Sequence, residues 1–130
     1  MASLTYRMDR SKDLVATSTT KIYQNEKNVD SIIILLPQNY GDLDLGEFTV
    51  KIKYADLMNV LHTDELERDE ELYQDMYYRF VFPITDEFTK IAGEITFMLD
   101  VSQGEEQILH TGSATVTILP WKDYVPFEEG

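Results

Sequence analysis

Residues 76–119 read MYYRFVFPITDEFTKIAG (76–93), EITFMLDV (94–101), SQGEE (102–106) and QILHTGSATVTIL (107–119). This stretch decides the fold. Tyr78, Phe80 and Phe82 share one face of an extended chain, with Tyr77, Arg79 and Val81 opposite. Both faces are substantially apolar, which marks a central strand. Pro83 ends it. Residues 86–92 suit about one helical turn, with Thr85 or Asp86 capping and Gly93 closing it. Ile95, Phe97, Leu99 and Val101 then alternate with Glu94, Thr96, Met98 and Asp100, the period of a half-buried strand. Residues 102–106, with Gly104, form a hairpin loop. Residues 107–110 and 113–119 are the return strand, with Ala114, Val116 and Ile118 on its core face. A glycine in the interruption at Thr111-Gly112 points to a bulge or a close backbone approach.

Working outward, residues 47–54 (EFTVKIKY) alternate strictly. Phe48, Val50, Ile52 and Tyr54 take one face and leave Lys51 and Lys53 on a solvated one. Residues 31–36 (SIIILL) are continuously apolar up to Pro37, which predicts a strand buried on both faces. Residues 15–24 (VATSTTKIYQ) predict a polar edge strand, and residues 25–30 a turn. Residues 38–46 form a loop. Asp42, Asp44 and Gly46 faintly resemble a calcium loop, but no bidentate Glu follows at its twelfth position, so a plain turn is favoured. Residues 55–58 turn the chain into a weaker strand over residues 59–66. Residues 64–75 hold seven acids and one base, Arg68. A solvated loop tip is favoured there over a cation site or a patch for a basic partner, because packing it would bury unpaired carboxylates.

About seven short strands, spaced by roughly ten residues, predict an all-β fold: an antiparallel β-sandwich, immunoglobulin-like in the broad sense, with one short helical turn. The Cys-Trp-Cys signature of true immunoglobulin domains is missing, so the topology stays open. The expected organisation is an N-terminal arm over residues 1–13, the sandwich over 14–119, and an aromatic tail over 120–130.

The bulk composition narrows function. A chain of 130 residues buries roughly two thirds of its unfolded surface, enough for one core without staples. It has no cysteine, which excludes disulfides and thiolate chemistry. A formal charge of −13 argues against nucleic acid and anionic membranes as partners. The longest apolar run, residues 32–36, is far short of the ~20 residues of a spanning helix. The first residues lack the apolar middle of a secretory signal, so synthesis in a cytoplasm is expected. No GxSxG, HExxH or phosphate loop occurs. His62 and His110 are not at ligand spacing and are read as structural or surface residues. No catalytic residue, metal ligand or cofactor site is assigned, and a binding role is favoured over an enzyme.

Charge is polarised along the chain. Up to Lys27 there are five bases and three acids; beyond it there are six bases and twenty-one acids. Arg7, Arg10 and Lys12 are either part of a frayed, solvated arm or a group that docks on an acidic patch. Trp121, Tyr124 and Phe127 lie on a proline-broken tail. Such aromatics either fold back on the domain or anchor to a neighbour. These six residues are the candidate partner-binding set.

The segment YYRFVFPITDEFTKIAGEITFMLDV, followed by HTGSATVTILP, resembles the N-terminal domain of the phage baseplate upper protein family and related small virion proteins. The elements that carry the likeness are Phe82-Pro83, the turn from Thr89 to Gly93, the strand from Glu94 to Leu99, and the strand that follows Thr111-Gly112. FTVKIKYAD (48–56) is similar to the family's third strand. The likeness spans roughly residues 22–120. It implies a sandwich that joins one virion component to another, with capsid, tail or baseplate subunits as partners and many copies or a homo-oligomer in each particle. Family members continue into a C-terminal region, whereas this sequence runs ten residues past Pro120. It therefore resembles the docking module alone. The competing reading is a carbohydrate-binding sandwich module, calcium-dependent or not, suggested by its aromatics and acids.

Overall fold

The computed structural model describes residues 3–122. Its strands, in chain order, are β1 (Ser3–Met8), β2 (Leu14–Ser18), β3 (Ile22–Tyr23), β4 (Ser31–Pro37), β5 (Asn39–Tyr40), β6 (Leu43–Asp44), β7 (Thr49–Ala55), β8 (Leu61–Glu65), β9 (Glu67–Arg68), β10 (Tyr77–Pro83), β11 (Gly93–Gln103), β12 (Gln107–His110) and β13 (Ala114–Leu119). A 3-10 turn at Leu45–Glu47 and the one-turn helix α1 (Asp86–Thr89) are the only helical pieces among the described residues. One sheet has the order β2-β1-β4-β10-β9; the other has β3-β13-β11-β7-β8, with β12 also paired to β11. A small ribbon joins β5 and β6. The fold is an all-β sandwich.

The core lies between the two sheets because each strand presents its apolar alternates inward. Val50, Ile52 and Tyr54 of β7 meet Ile95, Phe97, Leu99 and Val101 of β11, and Leu4, Tyr6, Ile32, Ile34, Leu36, Phe80 and Phe82 close the layer from the other sheet. Aromatic edges lock the two layers together. Tyr6 packs edge-on against Phe97 at 5.2 Å, and Tyr54 against Phe82 at 5.8 Å. Phe88 of α1 sits against both Tyr54 and Phe82, so the single helical turn plugs one end of the sandwich.

β4 is buried on both faces, as its unbroken apolar run requires. Its outward residues Ile33 and Leu35 lie between neighbours whose register sets Thr5 and Val81 beside Ile33, and Arg7 and Arg79 beside Leu35. The stems of the two arginines lie beside Leu35; the Arg79 guanidinium pairs with the Asp69 carboxylate, while Arg7 Nε is buried.

Four expectations are corrected. The sheets are mixed, because β1 runs parallel to β4 and β13 parallel to β3; thirteen strands, many of two residues, replace the expected seven. Residues 3–8 are not an arm. They alternate half-buried and buried and pair on both sides, with β2 and β4, since Leu4, Tyr6 and Met8 supply a core face that no arm would bury. The acidic run 64–75 is not simply a loop tip. It crosses from one sheet to the other through β8 and β9, with Leu66 buried between them and its N–H donating to the Val50 carbonyl at 2.8 Å.

Candidate functional site

Strand β1 and the turn that follows it bring Arg7, Arg10 and Lys12 to a corner of the sandwich. Beyond Met8 the chain reverses in a turn held by Asp9, whose Oδ1 accepts from the N–H groups of Ser11 at 2.8 Å and Asp13 at 2.9 Å. Lys12 takes a left-handed φ of 65°, and its carbonyl accepts from the Gly112 N–H at 2.8 Å. A Cβ on Gly112 would meet Asp13 Oδ1 at 3.0 Å. The Thr111-Gly112 break is therefore a close backbone approach that ties this turn to the second sheet. Thr111 Oγ1 accepts from the Leu99 N–H at 3.0 Å and donates to the Gly112 carbonyl at 2.8 Å, which replaces the ladder bonds lost there.

The anchored turn borders a groove of about 740 Å³ lined by Arg7, Met8, Asp9, Arg10, Pro37, Asn39, Tyr40, Gly41 and Tyr77. Lys12 Nζ lies 5.7 Å from the centroid of the Tyr40 ring, a cation–π distance. Arg7 Nε is buried without a hydrogen-bond partner. Of the six candidate residues, Arg7, Arg10 and Lys12 thus gather around one groove, with Tyr40 and Tyr77 as aromatic walls. Three bases against two acids over residues 7–13 give a local charge of +1 on a chain of −13.

Trp121 is not part of this corner. It lies edge-on to Tyr23 of β3, 5.9 Å between ring centroids, and its backbone N–H donates to Gln24 Oε1 at 3.4 Å. The length of β13, about 20 Å, separates it from Gly112. Tyr124 and Phe127 fall outside the described residues.

The structure also shows a feature that reading the sequence missed. The β7–β8 turn exposes Met58, Val60 and Leu61, the last 83% accessible. Asp56 fixes this apolar tip. Its Oδ1 accepts from the N–H groups of Met58 and Val60, each at 2.9 Å, and its Oδ2 lies 2.8 Å from His62 Nε2. The His62 ring stacks on Tyr54 at 4.8 Å. The bond from His62, then those from the two backbone N–H groups, hold the Asp56 carboxyl below the usual range. Burial, aided by the charges of Asp64, Asp56 and Glu87, pushes the Tyr54 hydroxyl up to about 12. His62 is structural here. His110 is exposed, 3.7 Å from Asp100. A Leu61 three residues before the charged run 64–75 gave no local signal of a presented apolar tip.

The acids do not gather into a metal centre: among the described residues no group of three or more His, Asp or Glu could hold an ion. Asp44 of the calcium-like loop caps the 3-10 turn through the Gly46 N–H at 2.9 Å. Arg68 donates to the Gly46 carbonyl at 2.6 Å and lies over the Tyr78 ring at 4.7 Å.

Neither a protein-family model nor a curated protein matches the sequence. Among solved structures the architecture recurs. The N-terminal domain of phage TP901-1 ORF48 matches with a TM-score of 0.52, over 93% of this chain and 98% of that one, at 9% identity. The fold is shared with a phage protein domain. At such identity the likeness extends to the arrangement of strands and to no individual residue.

Proposed function

We propose that this chain is a non-enzymatic bacteriophage virion protein, an accessory subunit that docks onto other virion proteins. The observation that carries the reading is the fold, shared end to end with a phage protein domain. The basic groove supplies a contact surface of definite chemistry. Planar guanidinium groups at Arg7 and Arg10, with the faces of Tyr40 and Tyr77 beside them, suit an acidic segment of a capsid, tail or baseplate subunit. The Asp9-held turn at residues 9–13 fixes the backbone that carries Arg10 and Lys12, which lowers the entropic cost of docking. Many copies in each particle, and contacts between copies, accord with a small subunit of this kind.

The test reverses charge at the exposed end of the groove. Arg10→Glu with Lys12→Glu leaves the core strand intact and inverts the field that an acidic partner meets. Incorporation into particles is expected to fall by more than tenfold, with an unchanged melting temperature. Incorporation equal to wild type would remove the groove from the docking surface.

A further inference from the structure

At the far end of β13, Trp121 and Tyr23 form an aromatic corner. Their ring planes stand at 71°, so one ring is a floor and the other a wall. Trp121 is 59% exposed. The two rings border a cleft of about 300 Å³ that Gln24, Asn25 and Glu26 complete, the lower end of the range for small-ligand sites. Neither arginine nor lysine lines it among the described residues.

The turn that carries these side chains is rigid. Gln24 N–H donates to the Leu119 carbonyl at 2.8 Å, and Asn25 N–H to the Thr89 carbonyl at 3.0 Å. Thr89, fully buried, donates its hydroxyl to the Glu26 carbonyl at 2.6 Å. Gln24 lines the cleft, with Nε2 donating to the Lys90 carbonyl at 3.0 Å and Oε1 accepting from the Trp121 backbone N–H. Glu26 commits Oε1 to the Tyr23 N–H, which leaves Oε2 for another donor. Asn25, at a left-handed φ of 70°, holds an exposed amide at the rim.

We infer that this cleft is a binding subsite for a neutral hexose of an oligosaccharide. A pyranose has an apolar C–H face and a rim of hydroxyls. The exposed indole takes the face, since an aromatic ring joins apolar area to a negative π surface that attracts polarised C–H groups. The Asn25 amide and the free Glu26 oxygen take neighbouring hydroxyls, one group offering donors and the other an acceptor. With no arginine or lysine among the described lining residues, the cleft disfavours phosphate, sulfate and uronate, which call for such cations. Sugar binding here is independent of the virion role, because it uses the opposite end of the sandwich from the basic groove.

Trp121 is the only tryptophan, so its fluorescence reports the site directly. The full chain is titrated with the hexasaccharides of glucose, mannose, galactose and N-acetylglucosamine to about 10 mM, which reaches past a millimolar Kd. At least one sugar is expected to shift the emission with saturation. Asn25→Gly, which keeps the left-handed backbone and deletes the amide, is expected to weaken that response at least tenfold. Trp121→Ala, followed by calorimetry, is expected to abolish binding. Three results overturn the assignment: no saturation with any of the four sugars, Trp121→Ala binding as wild type, or a hexaproline peptide saturating the site where the sugars do not.

Discussion

Replacing Tyr6 by alanine separates a core strand from a free arm. Tyr6 is 5% exposed at the centre of β1, and its ring meets Phe97 edge-on across the two sheets. Removing a buried ring of this size costs about 3–5 kcal/mol through lost transfer energy and the cavity left behind. The edge-to-face pair contributes about 0.5–1.5 kcal/mol of that beyond its area. A domain of this kind has roughly 5–15 kcal/mol in total. With a urea m-value of about 2 kcal/mol/M, a loss of about 4 kcal/mol lowers the unfolding midpoint by about 2 M. Urea titration by far-ultraviolet circular dichroism reads this directly, and Tyr6→Phe, which keeps the ring, is expected to stay close to wild type. A substitution on a frayed arm would change stability by no more than about 0.5 kcal/mol. A Tyr6→Ala midpoint within about 0.3 M of wild type would therefore refute the placement of β1 in the core.

Gly93 opens β11 at a φ of 146°, with the Leu57 side chain 3.0 Å from where a Cβ would stand; Gly93→Ala is expected to cost about 1–3 kcal/mol, measured by the same titration. The Asp56 carboxyl titrates below its unfolded value, so its contribution is present above about pH 4 and is lost as pH falls through the folded pKa. Wild type is expected to melt higher than Asp56→Asn at pH 6, with the gap narrowing as pH falls below about 4; a constant gap would exclude the carboxylate's bonds to His62, Val60 and Met58 as its source. Tyr54 is raised to about 12, so its contribution is complete below pH 10 and is lost as pH rises toward 12. The decline in melting temperature over that interval is expected to be shallower in Tyr54→Phe.

The strands with a strict period of two were legible because one apolar face per strand leaves a local record. β7 and β11 follow the alternation of residues 47–54 and 94–101; the single edge strand expected over residues 15–24 is instead two, β2 at the edge of one sheet and β3 at the edge of the other. β1 carries the same record in Leu4, Tyr6 and Met8, but over only six residues and beside Arg7, Arg10 and Lys12, whose charge has the composition of a solvated arm. Its parallel pairing with β4 joins residues 3–7 to residues 31–35, a non-local match that no window of sequence encodes. The basic groove was half legible for the same reason. Its three bases are close in sequence, whereas Tyr40 and Tyr77 reach them only through β4 and β10. Leu66 explains the acidic run: one buried side chain among seven carboxylates steers the chain between sheets, while composition alone reads as solvated.

The most direct measurement is quantitative mass spectrometry of purified phage particles from cells expressing the chain from its own genome. A virion subunit is expected to appear at a fixed, integral ratio to the major structural proteins and to stay bound through density-gradient purification. Absence from particles, or a ratio that falls with each round of purification, would contradict the virion role.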